Sequence, residues 1–264
     1  MKRHLPLIAA LTCVLAAVVF AAPRLLNGGP IPPPAAAELA GRPVSVVPPS
    51  KPAAAVPGHS HHGSYTLTFD DGPHPVHTPA LLDWLKEHQI KATFFVLGQN
   101  AKRYPELVKR IAAEGHEIGN HTWSHVKLTT AKPEVLRSEI KRTHDLIVSL
   151  TGKPPVSFRP PYGALTIAQR RVVEKEFGYH IVRWTADSFD WKPRSSDAVV
   201  KRLRLSVKPG AIILAHDIHP RILPALETLY AEWTRRGLKA VPLSNMSPPP
   251  VKETTLLTKA AAVK

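Results

Sequence analysis

Between residues 65 and 246, short apolar runs and longer segments of helical periodicity follow one another in strict succession, and this succession constrains the fold more than any other feature of the chain. Strand-like runs occupy 65–69, 92–97, 117–119, 156–159, 180–184, 211–214 and 239–242. Helical periodicity begins at Thr78 and returns at 104–114, 134–150, 167–177, 198–206 and 223–236. The first helix is the best marked. Thr78 suits an N-cap, Pro79 suits the first helical position, and Leu81, Leu82 and Leu85 share one face. Strict alternation implies parallel strands joined by crossover helices, and seven such strands close into a barrel more readily than they remain an open sheet. The expected fold class is α/β.

The flanks read differently. Residues 30–57 hold nine of the 28 prolines and many alanines, the composition of an extended linker. Before it, Met1-Lys2-Arg3 leads into an apolar run from Leu5 to Ala22, the layout of an export signal. The run is also just long enough to span a bilayer as an uncleaved anchor. Pro23 directly after Ala22 is a poor residue beyond a cleavage point, so cleaved signal and anchor both stand. The division expected is 1–26 signal peptide or membrane anchor, 27–64 linker, 65–246 one domain and 247–264 a tail. Cys13, the single cysteine, lies in the apolar run, so the exported part has no disulfide framework. Within 65–246, 27 Lys and Arg stand against 18 Asp and Glu, an excess of nine positive charges. A basic exported domain is drawn toward anionic envelope polymers or phospholipid surfaces, and nucleic acid is not an expected partner.

Five polar segments follow strand-like runs, where an α/β barrel gathers its catalytic groups. Asp70 and Asp71, before Gly72-Pro73, point in alternate directions along a strand end, so one carboxylate can bind a cation while its neighbour faces water or substrate. His121 and His125 are four apart, a spacing that lets two imidazoles share a metal with Asp71 as third ligand and leaves coordination positions open. Arg159, ahead of two prolines, can hold a carboxylate ionised. In the same stiffened loop the Tyr162 N–H can face a developing oxyanion. His216 ends an apolar strand and is a general-acid candidate, oriented by Asp187 from the preceding strand or, alternatively, paired locally with Asp217. Trp191 is either a stacking wall for a sugar ring or packing; Leu214 is assigned with Tyr162 and Trp191 to the substrate side. His59, His61 and His62 are read as linker.

Thr-Phe-Asp-Asp-Gly-Pro, His-Thr-Trp-Ser-His, Arg-Pro-Pro-Tyr-Gly, Asp-Ser-Phe-Asp-Trp and Leu-Ala-His-Asp, in this order, resemble the polysaccharide deacetylase family, also called the NodB-homology domain or carbohydrate esterase family four. The resemblance implies a distorted (β/α) barrel of seven to eight parallel strands with one divalent cation, Zn²⁺ or alternatively Co²⁺ or Ni²⁺. It implies Asp71, His121 and His125 as metal ligands, Asp70 as base, His216 as acid, Arg159 as partner of the base and Asp187 as partner of the acid. The implied reaction removes N-acetyl groups from an acetylated amino-sugar polymer, with peptidoglycan foremost and chitooligosaccharides or an exopolysaccharide as alternatives. A monomer in the cell envelope, extracellular or periplasmic, is expected. A non-catalytic glycan-binding barrel needs neither Asp70 nor His216, and a two-metal phosphoesterase needs more ligands than these segments supply.

Overall fold

The computed structural model describes residues 63–192 and 195–246. The apolar leading run, residues 27–62 of the expected linker with its histidines, and the C-terminal tail lie outside the described residues, while Ser64, the last residue assigned to the linker, opens the first strand. Strand β1 (Ser64–Asp70) is the centre of the sheet. It pairs in parallel with β2 (Thr93–Val96) on one edge and with β7 (Ala211–His216) on the other. Beyond β2 follow β3 (Glu117–Asn120), β4 (Ser157–Phe158) and β5 (His180–Ile181), and beyond β7 lies β6 (Ala186–Asp187). Strand β8 (Lys239–Ala240) pairs with Ser64 and Tyr65, while β2 begins pairing only at Thr68. Because β7 occupies the opposite edge of β1 from Tyr65 to Asp70, β2 and β8 share one edge in tandem.

Every pairing is parallel, and none joins β5 to β6 among the described residues. The sheet nevertheless curls strongly. Across its inner face Arg159, just past β4, bonds Asp70 of β1 at 2.7 Å, three strands away. The result is the expected distorted, incompletely closed (β/α) barrel.

Period-two alternation in β1 divides inside from outside. Tyr65, Leu67 and Phe69 point outward into a core shared with Leu81, Leu82 and Leu85 of α1 (His77–Glu87) and with Leu226, Leu229 and Trp233 of α7 (Ile222–Arg235). Helices α3 (Pro105–Ala113) and α6 (Ser196–Ser206) contribute Val108, Ile111, Val199 and Leu203 to the same core. Fully burying each such side chain contributes about 1.5–3 kcal/mol, which is ample to pin the register. Thr66, Thr68 and Asp70 take the opposite face, inside the barrel, and are almost fully buried. A second, smaller core joins Leu136 and Ile140 of α4 (Pro133–Thr151) to Phe158, Val173 and Tyr179, the valine from α5 (Ile167–Lys175). Among the described residues no helix is long and apolar enough to cross a membrane.

Three details depart from the sequence pattern. Helix α1 starts at His77, with Val76 at its N-cap, and Thr78 lies inside its first turn. The Thr78 hydroxyl accepts the His74 N–H and donates to the Asp217 carboxylate, a tertiary partner that a local capping rule does not contain. A short helix α2 (Gly98–Arg103) fills the interval between the second strand and α3. The run at 180–184 is a strand only at His180–Ile181, and Ala186–Asp187 forms a separate strand too short to show any periodicity.

Gly119 of β3 offers a check on the inner face. A Cβ there would stand 2.4 Å from the Phe95 ring and 2.8 Å from Ser157 Oγ, and Phe95 cannot retreat because the Arg159 guanidinium stacks on it at 4.1 Å. Gly119→Ala is expected to lower unfolding free energy by about 1–3 kcal/mol, the usual cost of overpacking, read from the midpoint of a chemical denaturation curve.

Candidate active site

Parallel pairing carries the alternation of β1 across to its neighbours. Asp70 stands in register with His216 of β7, and Thr68 with Leu214, so these four side chains share the inner face one strand spacing apart. The base and acid candidates are therefore adjacent because of sheet register. Leu214 is a buried part of the inner wall, beside the site.

Asp70 is buried, and its Oδ1 accepts a hydrogen bond from Arg159 Nη1 at 2.7 Å. The same Nη1 reaches Thr68 Oγ1 at 2.7 Å. Burial raises the Asp70 carboxyl above the usual carboxylate range, and the charges of Arg159 and His216 oppose that rise. Its second oxygen, Oδ2, is turned toward His121 Nε2 at 3.6 Å.

The strand ends lead into loops with unusual backbone. Asp71, Thr122, His125, Tyr162 and Phe189 all have φ between 54° and 73°. A left-handed non-glycine residue costs on the order of 1–3 kcal/mol, and for a β-branched threonine it is rare. Here the cost is concentrated where side chains must be re-aimed from the barrel wall. Asp71, just past the strand, turns its Oδ1 to 3.4 Å from His121 Nε2 and 3.5 Å from His125 Nε2.

One ligand atom from each of Asp71, His121 and His125 lies within 4.8 Å of the others. With bond lengths of about 2.0–2.2 Å, donors around a tetrahedral Zn²⁺ stand about 3.4 Å apart, which the two carboxylate–imidazole separations match. Asp71 Oδ1 is buried and has no hydrogen-bond partner among the described residues. His121 Nδ1 lies 2.6 Å from the Arg159 carbonyl oxygen. A carbonyl can only accept, so Nδ1 carries the proton and Nε2 presents its lone pair toward Asp71. Burial lowers the His121 pKa to about 3, keeping the ring neutral. These residues fit a single divalent cation.

His216 has a different partner from the expected one. The Asp190 carboxylate is fully buried and accepts from both the backbone N–H of His216 and its Nδ1, each at 2.7 Å. Asp187 instead accepts the Phe189 N–H at 2.9 Å, closing a turn on its own strand. The left-handed Phe189 reverses the chain so that Asp190, three residues on, crosses to β7. Asp187→His216 is thus corrected to Asp190→His216. Burial pulls the imidazole down, but the hydrogen bond and charge of Asp190, aided by Asp70 and Asp71, outweigh it and push His216 up to about 9. Its free Nε2 points to the ligand cluster, 4.0 Å from Asp71 Oδ2.

Asp217 does not pair with His216. Its carboxylate takes the Thr78 hydroxyl and packs on Gly72, where a Cβ would stand 2.2 Å away. Burial raises it to about 7. Tyr162 is 66 % exposed, with its ring edge-on to His125 at 4.8 Å. Its N–H lies at the start of a single 3-10 turn, where no intrahelical acceptor exists. Trp191 is 47 % exposed and edge-on to Phe189.

Two further side chains hold the His121–His125 loop and escaped sequence reasoning. Glu139 of α4 accepts from the Trp123 and Ser124 N–H groups and from Ser124 Oγ at 2.8–2.9 Å. Asn120 Oδ1 accepts the Thr122 N–H. Glu139 was readable in principle, since it stands on the apolar stripe with Leu136, Ile140 and Thr143, and a buried carboxylate requires donors.

Fold and donor set together describe a parallel (β/α) barrel whose strand ends carry an Asp-His-His group that could hold one metal ion. A family model described as polysaccharide deacetylase matches residues 58–182, which include the first three motifs. The chain is 37% identical over 198 residues to a chitooligosaccharide deacetylase of Bradyrhizobium, covering 69% of this chain and 90% of the relative. It is 38% identical over 191 residues to the peptidoglycan-N-acetylglucosamine deacetylase PgdA of Listeria monocytogenes, covering 72% of this chain and 40% of that protein. It thus spans about two fifths of the length of that relative. The solved structure of the peptidoglycan N-acetylglucosamine deacetylase Bc1960 superposes with a TM-score of 0.68 at 38% identity, covering 70% of this chain and 88% of the other. The chain belongs to the polysaccharide deacetylase family.

The Asp190 assignment has a direct check. A raised imidazole stays protonated below its folded pKa and loses its proton as pH rises through it. Nitrogen-15 NMR of the metal-free protein should place the His216 midpoint near 9. Asp190→Asn is expected to drop the midpoint toward about 6.5, the ordinary histidine value. Asp187→Asn should leave it in place, and a drop with that variant instead would reverse the assignment.

Proposed function

We propose that this chain is a metal-dependent polysaccharide N-deacetylase acting on N-acetylglucosamine residues of a cell-envelope polymer, with peptidoglycan as substrate. The observation that carries this is the Asp71–His121–His125 cluster flanked by a buried carboxylate on one side and a protonatable imidazole on the other. A divalent cation there, Zn²⁺ in our reading with Co²⁺ or Ni²⁺ as substitutes, would supply Lewis acidity toward an amide carbonyl and lower the pKa of water.

The chain's own groups do the rest. Arg159 occupies Oδ1 of Asp70, which leaves Oδ2, the oxygen facing the cluster, to take a proton from the attacking water. The water oxygen adds to the acetyl carbon, and the Tyr162 N–H is available to the oxyanion. His216, with Nδ1 committed to Asp190, gives its Nε2 proton to the departing nitrogen as the C–N bond breaks. The products are acetate and a free amine. In the metal-free chain the hydrogen bond and charge of Asp190 hold His216 up at about 9, and Asp190 keeps the ring in orientation as the proton leaves.

Peptidoglycan is favoured by the relative named for it in Listeria and by the basic excess, which suits an anionic wall. The Bradyrhizobium relative favours chitooligosaccharides as the second reading. Export follows from the charged-then-apolar leading residues, whether these act as a cleaved signal or as an anchor, and the domain works as a monomer.

Acetate release from chitin oligomers and from purified peptidoglycan, with chelator and with Zn²⁺ restored, tests the activity and ranks the substrates. Release is expected to vanish with chelator and to return with metal; metal-independent release, or none, would overturn the proposal. Asp70→Asn and His216→Ala should each reduce turnover by about 10²–10⁴ while metal content is retained, whereas His121→Ala should lose the metal as well.

A further inference from the structure

Four consecutive residues between β2 and the body of α2 each donate one hydrogen bond to the two loops that carry the ligand cluster. Leu97 N–H donates to the Gly72 carbonyl at 3.1 Å, Gly98 N–H to Thr122 at 2.9 Å and Gln99 N–H to Trp123 at 3.0 Å. The fourth donor is a side chain: Asn100 Nδ2 reaches the Asp71 carbonyl at 2.7 Å. Topology explains why this segment is the one that can do so. Strand β2 lies between β1 and β3, so the residues that leave its C-terminal end sit between the loops that leave the other two.

Two of the four accepted carbonyls belong to Asp71 and Thr122, whose φ values are 73° and 72°. Each left-handed residue would relax on its own, at a gain of order 1–3 kcal/mol. A hydrogen bond that fixes the peptide plane on its C-terminal side opposes that relaxation. Gly98 permits the close approach: a Cβ there would stand 2.3 Å from the Trp123 ring and 2.5 Å from Thr143 Oγ1.

We propose that Leu97–Asn100 is a bracket that sets the separation of the Asp71 loop from the His121–His125 loop, and that Asn100 is a positioning residue for the Asp71 ligand. Asn100 touches neither substrate nor cation. It acts through the Asp71 peptide, and its contribution is the geometry in which one carboxylate oxygen meets two imidazoles. The inference rests on reading Asp71, His121 and His125 as metal ligands.

The test uses the full chain stripped of metal, with Zn²⁺ affinity read by competition against a chromophoric chelator and ligand geometry by the visible spectrum of the Co²⁺ form. Asn100→Ala and the isosteric Asn100→Asp, which has no donor, are expected to weaken Zn²⁺ binding by about 10–100-fold, the usual cost of an outer-sphere partner. They should also alter the Co²⁺ spectrum, with thermal melting of the metal-free chains near that of the parent. Lys102→Ala, on the exposed side of the same helix, should change neither. Folded Asn100 variants with parental affinity and spectrum would overturn the bracket. Failure of both variants to fold would also overturn it, by making the segment a folding element and nothing more. A parental chain that binds no Zn²⁺ would instead defeat the metal-site reading itself.

Discussion

Arg159 is the residue on which the interior depends. A guanidinium with no exposed surface survives inside a protein only where its charge is met. Asp70 meets the charge, Thr68 shares a donor, and Phe95 supplies a π-face at 4.1 Å. The ionic pair spans the inside of the curled sheet, from just beyond β4 to the end of β1. The backbone of the same residue sets the His121 tautomer through its carbonyl oxygen. One residue therefore bonds the Asp70 carboxylate and orients the His121 imidazole, which stand at the ends of two different strands.

Around that pair the protein separates its tasks by face and by level. The outward face of β1 is apolar and pins the register through Tyr65, Leu67 and Phe69. The inward face of β1 is polar and buried, and Thr68 and Asp70 find partners in Ile213 and Arg159. At the strand ends the chain leaves regular geometry, and Asp71, Thr122, His125, Tyr162 and Phe189 take left-handed backbone in the loops that follow. The outer core bears the cost of that local strain. Glu139, Asn120 and Asp217 bond the surrounding segments from behind, so the Asp71–His121–His125 cluster is braced by interactions outside itself.

The strand and helix succession was legible because period two and period 3.6 are local properties of the chain, and the polar motifs were legible because each sits where an apolar run stops. Asp71, His121, His125, Asp70 and Arg159 come together as their residue types suggested. Thr78 misled because a hydroxyl at a plausible cap position can equally serve a carboxylate 139 residues away. Asp187 misled for a related reason. It and Asp190 belong to one short motif, and their separation says nothing about which of them the left-handed Phe189 will swing across to β7. Helix α2 is only six residues long, too short for an apolar stripe to register, and Gly98, Gln99 and Asn100 serve the neighbouring loops as donors.

The sequence by itself determined which chemical groups stand at the ends of which strands, because a strand's direction, its alternation and the residue just beyond its end are all written within a few positions of one another. Tertiary structure alone decided the pairing of those groups: that Asp70 faces His216, that Asp190 holds the imidazole, and that a carboxylate oxygen lies between two histidines. Those relations arise from sheet register, from curvature and from the direction in which a left-handed residue turns the chain. Each is a relation between segments far apart in sequence, and no local pattern encodes it.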